Sequence, residues 1–209
     1  MTFLFNLWLN FYHKILWLPF LKVILGGEFY LSKSLKENDQ FILVCNHSSH
    51  LDTQAMLCST PFSKLYRTHP VAAKDYFGKT LFHKIFFKLT MNTFLIDRES
   101  GSGEEVISEI VKELDRGSNL IIFPEGSRSI GQELRKFKSG VVRVLMQRPN
   151  IAYIPVYVDS SDKILPKGDP LVVPHNFKIR FGEAKYVNPE IDVQANLDKI
   201  REEILALRN

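Results

Sequence analysis

Phe41-Ile-Leu-Val-Cys45, followed at once by Asn46-His47-Ser48-Ser49-His50-Leu51-Asp52, is the stretch on which the fold turns. Five apolar residues in a row, bounded by polar ones, describe a short strand buried on both faces, as in a parallel sheet covered by helices. Working outward, similar apolar runs recur at Val71–Ala73, Phe94–Ile96, Leu120–Phe123 and Ala152–Val158, separated by stretches of helical spacing. The clearest helix is predicted from Gly103 to Arg116, with Val106, Ile107, Ile110, Val111 and Leu114 on one face, Ser102 as its N-cap and Gly117 beyond its end. A second follows Ser139; Val172, Phe177, Ile179 and Phe181 read as one or two late strands; and Ile191 to Leu207 reads as a closing helix. This order predicts an α/β fold: a single layered domain with a largely parallel or mixed sheet flanked by helices.

With 209 residues the chain fits one domain with a short appendage, and 45% hydrophobic against 24% charged residues excludes both a disordered chain and a polytopic membrane protein. Lys and Arg number 27 against 23 Asp and Glu, a net +4 that suits anionic partners without choosing among them. The two cysteines, Cys45 and Cys58, make neither a disulfide framework nor a four-thiolate zinc site, and read as core residues of a reducing compartment.

Residues 1–35 stand apart. No acidic residue precedes Glu28, while both tryptophans, Trp8 and Trp17, lie here among Phe3, Phe5, Phe11, Tyr12 and Phe20. Asn6, Asn10, His13, Lys14, Pro19 and Lys22 interrupt the apolar run too often for a simple membrane span, and Ile24-Leu-Gly-Gly27 is a poor cleavage site for a signal peptide. Asn6, Asn10, His13 and Lys14 recur at spacings of three and four, so a helix gathers them on one side. The opposite side is rich in Leu, Trp and Phe. The favoured expectation is an amphipathic, membrane-binding helical segment split in two by Pro19, lying on a phospholipid surface at the cytoplasmic face, ahead of a domain from 36 to 209; the alternative is an ordinary amphipathic helix packed on the domain. Lys79, Lys84 and Lys88, interleaved with Phe82, Phe86 and Phe87, read either as an extension of that membrane-facing surface or as a core face, the more common meaning of aromatic residues at helical spacing.

In open α/β sheets, ligands sit on the loops leaving the carboxyl ends of strands. Here those loops carry His47 and Asp52, then Asp97-Arg98, then Pro124-Glu125-Gly126-Ser127-Arg128-Ser129. His47 and Asp52 suit a base and its orienter, since a carboxylate on one imidazole nitrogen fixes the tautomer and leaves the other to take a proton. Gly126 lets main-chain N–H groups approach an anion, and Arg98 and Arg128 are fork-shaped donors matched to phosphate oxygens. Ser48 and Ser49 are not read as nucleophiles, because neighbours on an extended loop point apart.

These residues resemble, in order, the motifs of the 1-acyl-glycerol-3-phosphate (lysophosphatidate) acyltransferase family of glycerolipid acyltransferases. The histidine-four-residues-aspartate motif is similar to His47-Ser-Ser-His-Leu-Asp52, and the arginine-ending motif to Asn92-Thr-Phe-Leu-Ile-Asp-Arg98, with Asn92 where the family usually has glycine. The third resembles Phe123-Pro-Glu-Gly-Ser-Arg-Ser129 with Phe137-Lys-Ser-Gly140 after it, and the fourth Ile154-Pro155-Val156. Lys74 resembles a further family position.

The resemblance implies an acyltransferase that moves a fatty acyl chain from acyl-CoA or acyl carrier protein to the free hydroxyl of lysophosphatidate in phospholipid biosynthesis. It implies that His47 is the base and Asp52 its orienter, that Arg98, Glu125, Gly126, Ser127 and Arg128 bind or frame the phosphate, and that Glu125 acts by positioning an Arg. It assigns Pro155 to the acyl pocket and requires no cofactor, metal or nucleic acid. The same motifs serve another lysolipid equally, such as lyso-ornithine lipid or another lysophospholipid. Two other classes stay open. One is a metal-dependent hydrolase using His47, His50 and Asp52, although His13, His69, His83 and His175 sit in no comparable cluster. The other is a non-catalytic membrane-binding protein.

Overall fold

The computed structural model describes residues 2–74, 80–97, 102–128, 134–159 and 175–208. The chain opens with α1 (Thr2–Asn10), continued by π-helical turns at Phe11–Trp17 and Phe20–Ile24. There follow β1 (Glu28–Tyr30), the short α2 (Ser34–Glu37), β2 (Phe41–Cys45), α3 (His50–Ser59), a 3-10 turn at Leu65–Arg67 and β3 (Thr68–Ala73). After these come α4 (Leu81–Met91), β4 (Phe94–Ile96), α5 (Gly103–Asp115), β5 (Asn119–Ile122), α6 (Gly140–Gln147), β6 (Ala152–Asp159), β7 (Lys178–Phe181) and α7 (Val193–Ala206).

Among the described residues the strands form one seven-stranded sheet in the order β1-β7-β6-β2-β5-β3-β4. Every neighbouring pair is parallel except β6 with β7, so the sheet is mixed. β2 lies at its centre, paired to β6 on one side and β5 on the other, and all five of its residues are buried. Alternation along the strand feeds two cores. Leu43 and Cys45 pack under α3 and the N-terminal helix with Leu51, Met56, Leu9 and Leu21. Ile42 and Val44 pack under α5, α6 and α7 with Ile107, Val142 and Ile200. The helix predicted from Gly103 ends as expected: Ser102 caps it in a capping box with Glu105, and Gly117 follows at φ +85°.

The N-terminal segment departs from its expected form in two respects. Pro19 does not split it, for Leu18 and Pro19 keep helical angles and the course is helical over 2–24. The reason lies in the π-helical turns on either side, which bond residue i to i+5, Leu18 N–H to the His13 carbonyl and Leu25 N–H to that of Phe20, and so take up the distortion a proline brings. Secondly, Gly26 at φ +61° reverses the chain, and Glu28–Tyr30 joins the sheet as an edge strand beside β7. A side chain at Gly27 would meet the ring of Phe177 at 2.7 Å.

The polar side of this helix is its buried side. Lys14 donates from Nζ to the carbonyls of Cys58 and Thr60, both at 2.5 Å, placing a cation at the carboxyl end of α3; burial lowers its pKa to about 8. His13 is fully buried, with Gln54 of α3 and the Thr90 carbonyl of α4 beside it, and desolvation together with the neighbouring Lys14 lowers its pKa to about 4. The unfolded chain takes up a proton at His13 below about pH 6.5 and the folded chain only near 4. The unfolded state therefore binds more protons in that window, and stability falls as the pH falls through it, by about 3 kcal/mol in all. Urea midpoints measured at pH 7, 5.5 and 4 are expected to decline in the parent and to lose that part of the slope in His13→Leu.

Candidate active site

The parallel strands β2, β5, β3 and β4 end at the same edge of the sheet, so the loops that carry His47, Glu125, Lys74 and Asp97 open side by side. Asn46 makes the exit from β2 definite. Its side chain pairs with the main chain of Val158 as a strand residue would, Nδ2 donating to the carbonyl and Oδ1 accepting from the N–H, each at 2.8 Å. The next residue, His47, is thereby delivered at the sheet edge. Asp52 reaches back to it from the first turn of α3: Oδ2 accepts from His47 Nδ1 at 3.0 Å and from the main-chain N–H groups of Ser48 and Ser49 at 2.8 and 2.9 Å. Asp52 is fully buried. Ser49 is the N-cap of α3 and forms a capping box with Asp52, which binds the His47–Asp52 spacing to the helix start. Four intervening residues are the length that one N-terminal turn needs to bring its carboxylate over the preceding loop.

With Asp52 as acceptor, His47 carries its proton on Nδ1 and its lone pair on Nε2. The ring stacks on Phe123, centroids 3.9 Å apart and planes at 24°, which fixes its orientation from the neighbouring loop. The same loop grips the backbone of His47: its N–H donates to Glu125 Oε1 at 2.7 Å, and the other carboxylate oxygen accepts the N–H of Arg135 at 3.0 Å. Burial pushes the Glu125 carboxyl above the usual carboxylate range, against the pull of those two donors. Gly126 follows at φ +72°, and a side chain there would meet the stem of Lys138 at 2.9 Å. A histidine oriented by a buried carboxylate, opening beside a glycine turn under a lysine, is an arrangement for deprotonating a hydroxyl next to an anion.

A protein-family model described as acyltransferase matches residues 28–159. The chain belongs to the acyltransferase family. It is 31% identical over 126 residues to a 1-acyl-sn-glycerol-3-phosphate acyltransferase of Cocos nucifera, a match covering 59% of this chain and 39% of that one. It is 25% identical to the lyso-ornithine lipid O-acyltransferase of Brucella abortus, over 95% of this chain and 80% of the relative. The crystal structure of the 1-acyl-sn-glycerophosphate (LPA) acyltransferase from Thermotoga maritima superposes with a TM-score of 0.69 at 18% identity, covering 100% of this chain and 97% of that one, a likeness of fold. The chain spans about two fifths of the length of the coconut relative.

Within this acyltransferase framework the remaining site residues fall differently. Arg128 is half-buried on the loop after β5, and Ser127 is exposed, its hydroxyl accepting from Arg135 Nη1 at 2.5 Å. Arg98 lies outside the described residues; Asp97 before it pairs with Lys74 at 3.4 Å. Glu125 serves the main chain of His47 and Arg135, a different use from positioning a guanidinium, because it is buried between the loops. Pro155 is not brought to this cluster. It stands in the middle of β6, opposite Val44, and its ring packs on Gly182 near Leu207, on the face of Tyr153 and Tyr157, which belongs to the α5–α7 core. Strand alternation explains this, since Ile154 and Val156 take the face beneath α3.

Asn92 holds φ +51° as the left-handed cap of α4, the conformation a glycine would otherwise supply, and its side chain donates to the Tyr66 and Thr68 carbonyls and accepts from Lys88. Sequence reasoning missed Arg135 and Lys138 as residues lying on the Glu125-Gly126-Ser127 turn. The signal was present in Phe137-Lys-Ser-Gly140, since Lys138 N–H bonds to the Pro124 carbonyl at 2.8 Å and folds that second half of the motif onto the first.

Proposed function

We propose that this chain transfers a fatty acyl group from a thioester of coenzyme A or acyl carrier protein to the free hydroxyl of lysophosphatidate, giving phosphatidate. The His47–Asp52 pair, held against the Glu125-Gly126 turn, is the observation that carries this reading. His47 Nε2 takes the hydroxyl proton as the oxygen attacks the thioester carbonyl; the C–S bond then breaks, and the proton passes to the departing thiolate. Asp52 stabilises the imidazolium formed in between. Arg128 and Lys138, beside the glycine turn at Gly126, receive the acceptor's phosphate, with Arg98 completing the set. The reaction takes place on a phospholipid surface at the cytoplasmic face, where the acid-free N-terminal helix and its outward Phe3, Leu4 and Leu7 meet anionic headgroups. No described helix is long and apolar enough to cross a membrane.

A second acceptor, lyso-ornithine lipid, is favoured by one observation: the Brucella relative aligns over 95% of this chain. The test is initial rates with lysophosphatidate, lyso-ornithine lipid and lysophosphatidylcholine as parallel acceptors, in the parent and in Arg128→Ala. The expected result is a preference for lysophosphatidate, with kcat/KM for it falling about tenfold or more in the variant through loss of a charge-assisted hydrogen bond. Turnover confined to lyso-ornithine lipid and indifferent to Arg128 replaces the acceptor and keeps the chemistry.

A further inference from the structure

Helix α4 is built the wrong way round for a core helix. Phe82, Ile85, Phe86 and Leu89 recur at i, i+3, i+4 and i+7, the spacing of a buried stripe, yet they are 74%, 50%, 46% and 44% exposed. Only Thr90 on this helix is buried, with Phe87 and Met91 partly so. The stripe is continuous with the apolar side of the N-terminal helix: Trp8 Nε1 donates to the Leu89 carbonyl at 2.9 Å, Lys88 Nζ lies 5.9 Å from the centre of the Phe5 ring, and Phe62 sits exposed beside Asn10. Apolar residues clustered to this extent mark a surface that meets another phase or molecule.

The charges choose the occupant. The basic side chains these helices leave exposed are Lys84 and Lys88, with His83, on α4 and Lys22 on the N-terminal helix, Lys14 and His13 being turned into the domain, and neither helix carries an acid. Lysines flanking an apolar, aromatic face match anionic headgroups above an acyl layer, whereas a second copy of this chain would bring the same cations against them. We infer that α4 is a second membrane-inserting helix, and that together with the N-terminal helix it forms a two-armed surface for an anionic phospholipid bilayer. This rests on the membrane docking of the N-terminal helix and extends it to the helix that packs beside it and against α3.

The test uses the full chain with an environment-sensitive nitrobenzoxadiazole label on Phe82→Cys or, separately, on Leu4→Cys; Cys45 and Cys58 are buried and do not compete. The probe is vesicles of phosphatidylcholine with and without phosphatidylglycerol. Blue-shifted emission from both labels, stronger with phosphatidylglycerol, is expected, together with about tenfold or greater loss of vesicle binding in Phe82→Glu/Phe86→Glu at an unchanged melting temperature. A shift at Leu4 without one at Phe82 overturns the role of α4 and leaves the N-terminal docking standing. Silence at both positions overturns the two together. A Phe82 shift that follows protein concentration without vesicles assigns the face to a second copy and overturns the inference.

Discussion

Asp52→Asn is expected to lower acyl transfer by about a thousandfold, or about 4 kcal/mol, while the protein stays folded. Asp52 Oδ2 accepts three hydrogen bonds, two of them from main-chain N–H groups of Ser48 and Ser49 that have no freedom to turn away. Those two donors will orient the new amide with its oxygen toward them, so His47 keeps its acceptor and its tautomer. What disappears is the buried negative charge that stabilises the imidazolium when the hydroxyl proton has moved. The loss therefore belongs to kcat rather than to KM for either substrate, and the melting temperature should move by no more than about 5 °C, the equivalent of roughly 1–2 kcal/mol of capping and helix-terminus charge. Kinetics and a thermal melt on the same preparation check both halves. A large fall in melting temperature would mean that the carboxylate is chiefly structural.

Glu125→Gln is expected to cost about tenfold to a hundredfold in turnover, for a different physical reason. Each carboxylate oxygen of Glu125 accepts one main-chain N–H, from His47 and from Arg135. An amide has a single oxygen, so one buried N–H must face an NH2 group, a defect of about 1–3 kcal/mol that falls on the alignment of the two loops. The protonated acid has the same shortage of acceptors. Because burial raises the Glu125 pKa, the fully bridging form is lost as the pH falls through a value above the usual carboxylate range. Parent activity should accordingly fall more steeply on the acid side than that of the Gln variant, and pH–rate profiles of both proteins test this.

Much of the fold was legible in the sequence because periodicity reports burial directly. Phe41–Cys45 is apolar without interruption because the sheet centre is covered on both sides, and the Gly103 helix carries its cap, stripe and terminal glycine in plain order. The His47–Asp52 spacing was readable as well, since it depends on one helical turn and needs no distant partner. The roles of Glu125 and Pro155 were not, because both depend on which residue lies opposite. The spacing within Pro124–Arg128 says nothing of the His47 N–H that Glu125 meets, and the face of β6 on which Pro155 falls is set by the register Val44↔Pro155. Pro19 misleads for a related reason: the rule that proline ends a helix assumes i to i+4 bonding, and the turns around it are π-helical. The outward stripe of α4 was ambiguous in sequence, since aromatic residues at helical spacing describe a core face and a membrane face equally well, and only exposure separates them.

The two ends of α3 connect docking to chemistry. Its first turn carries Asp52, and its last carbonyls bind Lys14 of the N-terminal helix. On the proposed reading, with His47 as the base and the N-terminal helix on the lipid, a lysolipid still seated in the bilayer would present its hydroxyl to a histidine at fixed height.

The most direct test of the central claim is the transfer of a labelled acyl chain from acyl-CoA to lysophosphatidate in vesicles, comparing the parent with His47→Ala at matched, folded concentration. Labelled phosphatidate formed by the parent and reduced about a thousandfold or more in the variant is the predicted result. Activity in the variant within a few-fold of the parent would contradict it, and would remove His47 as the base.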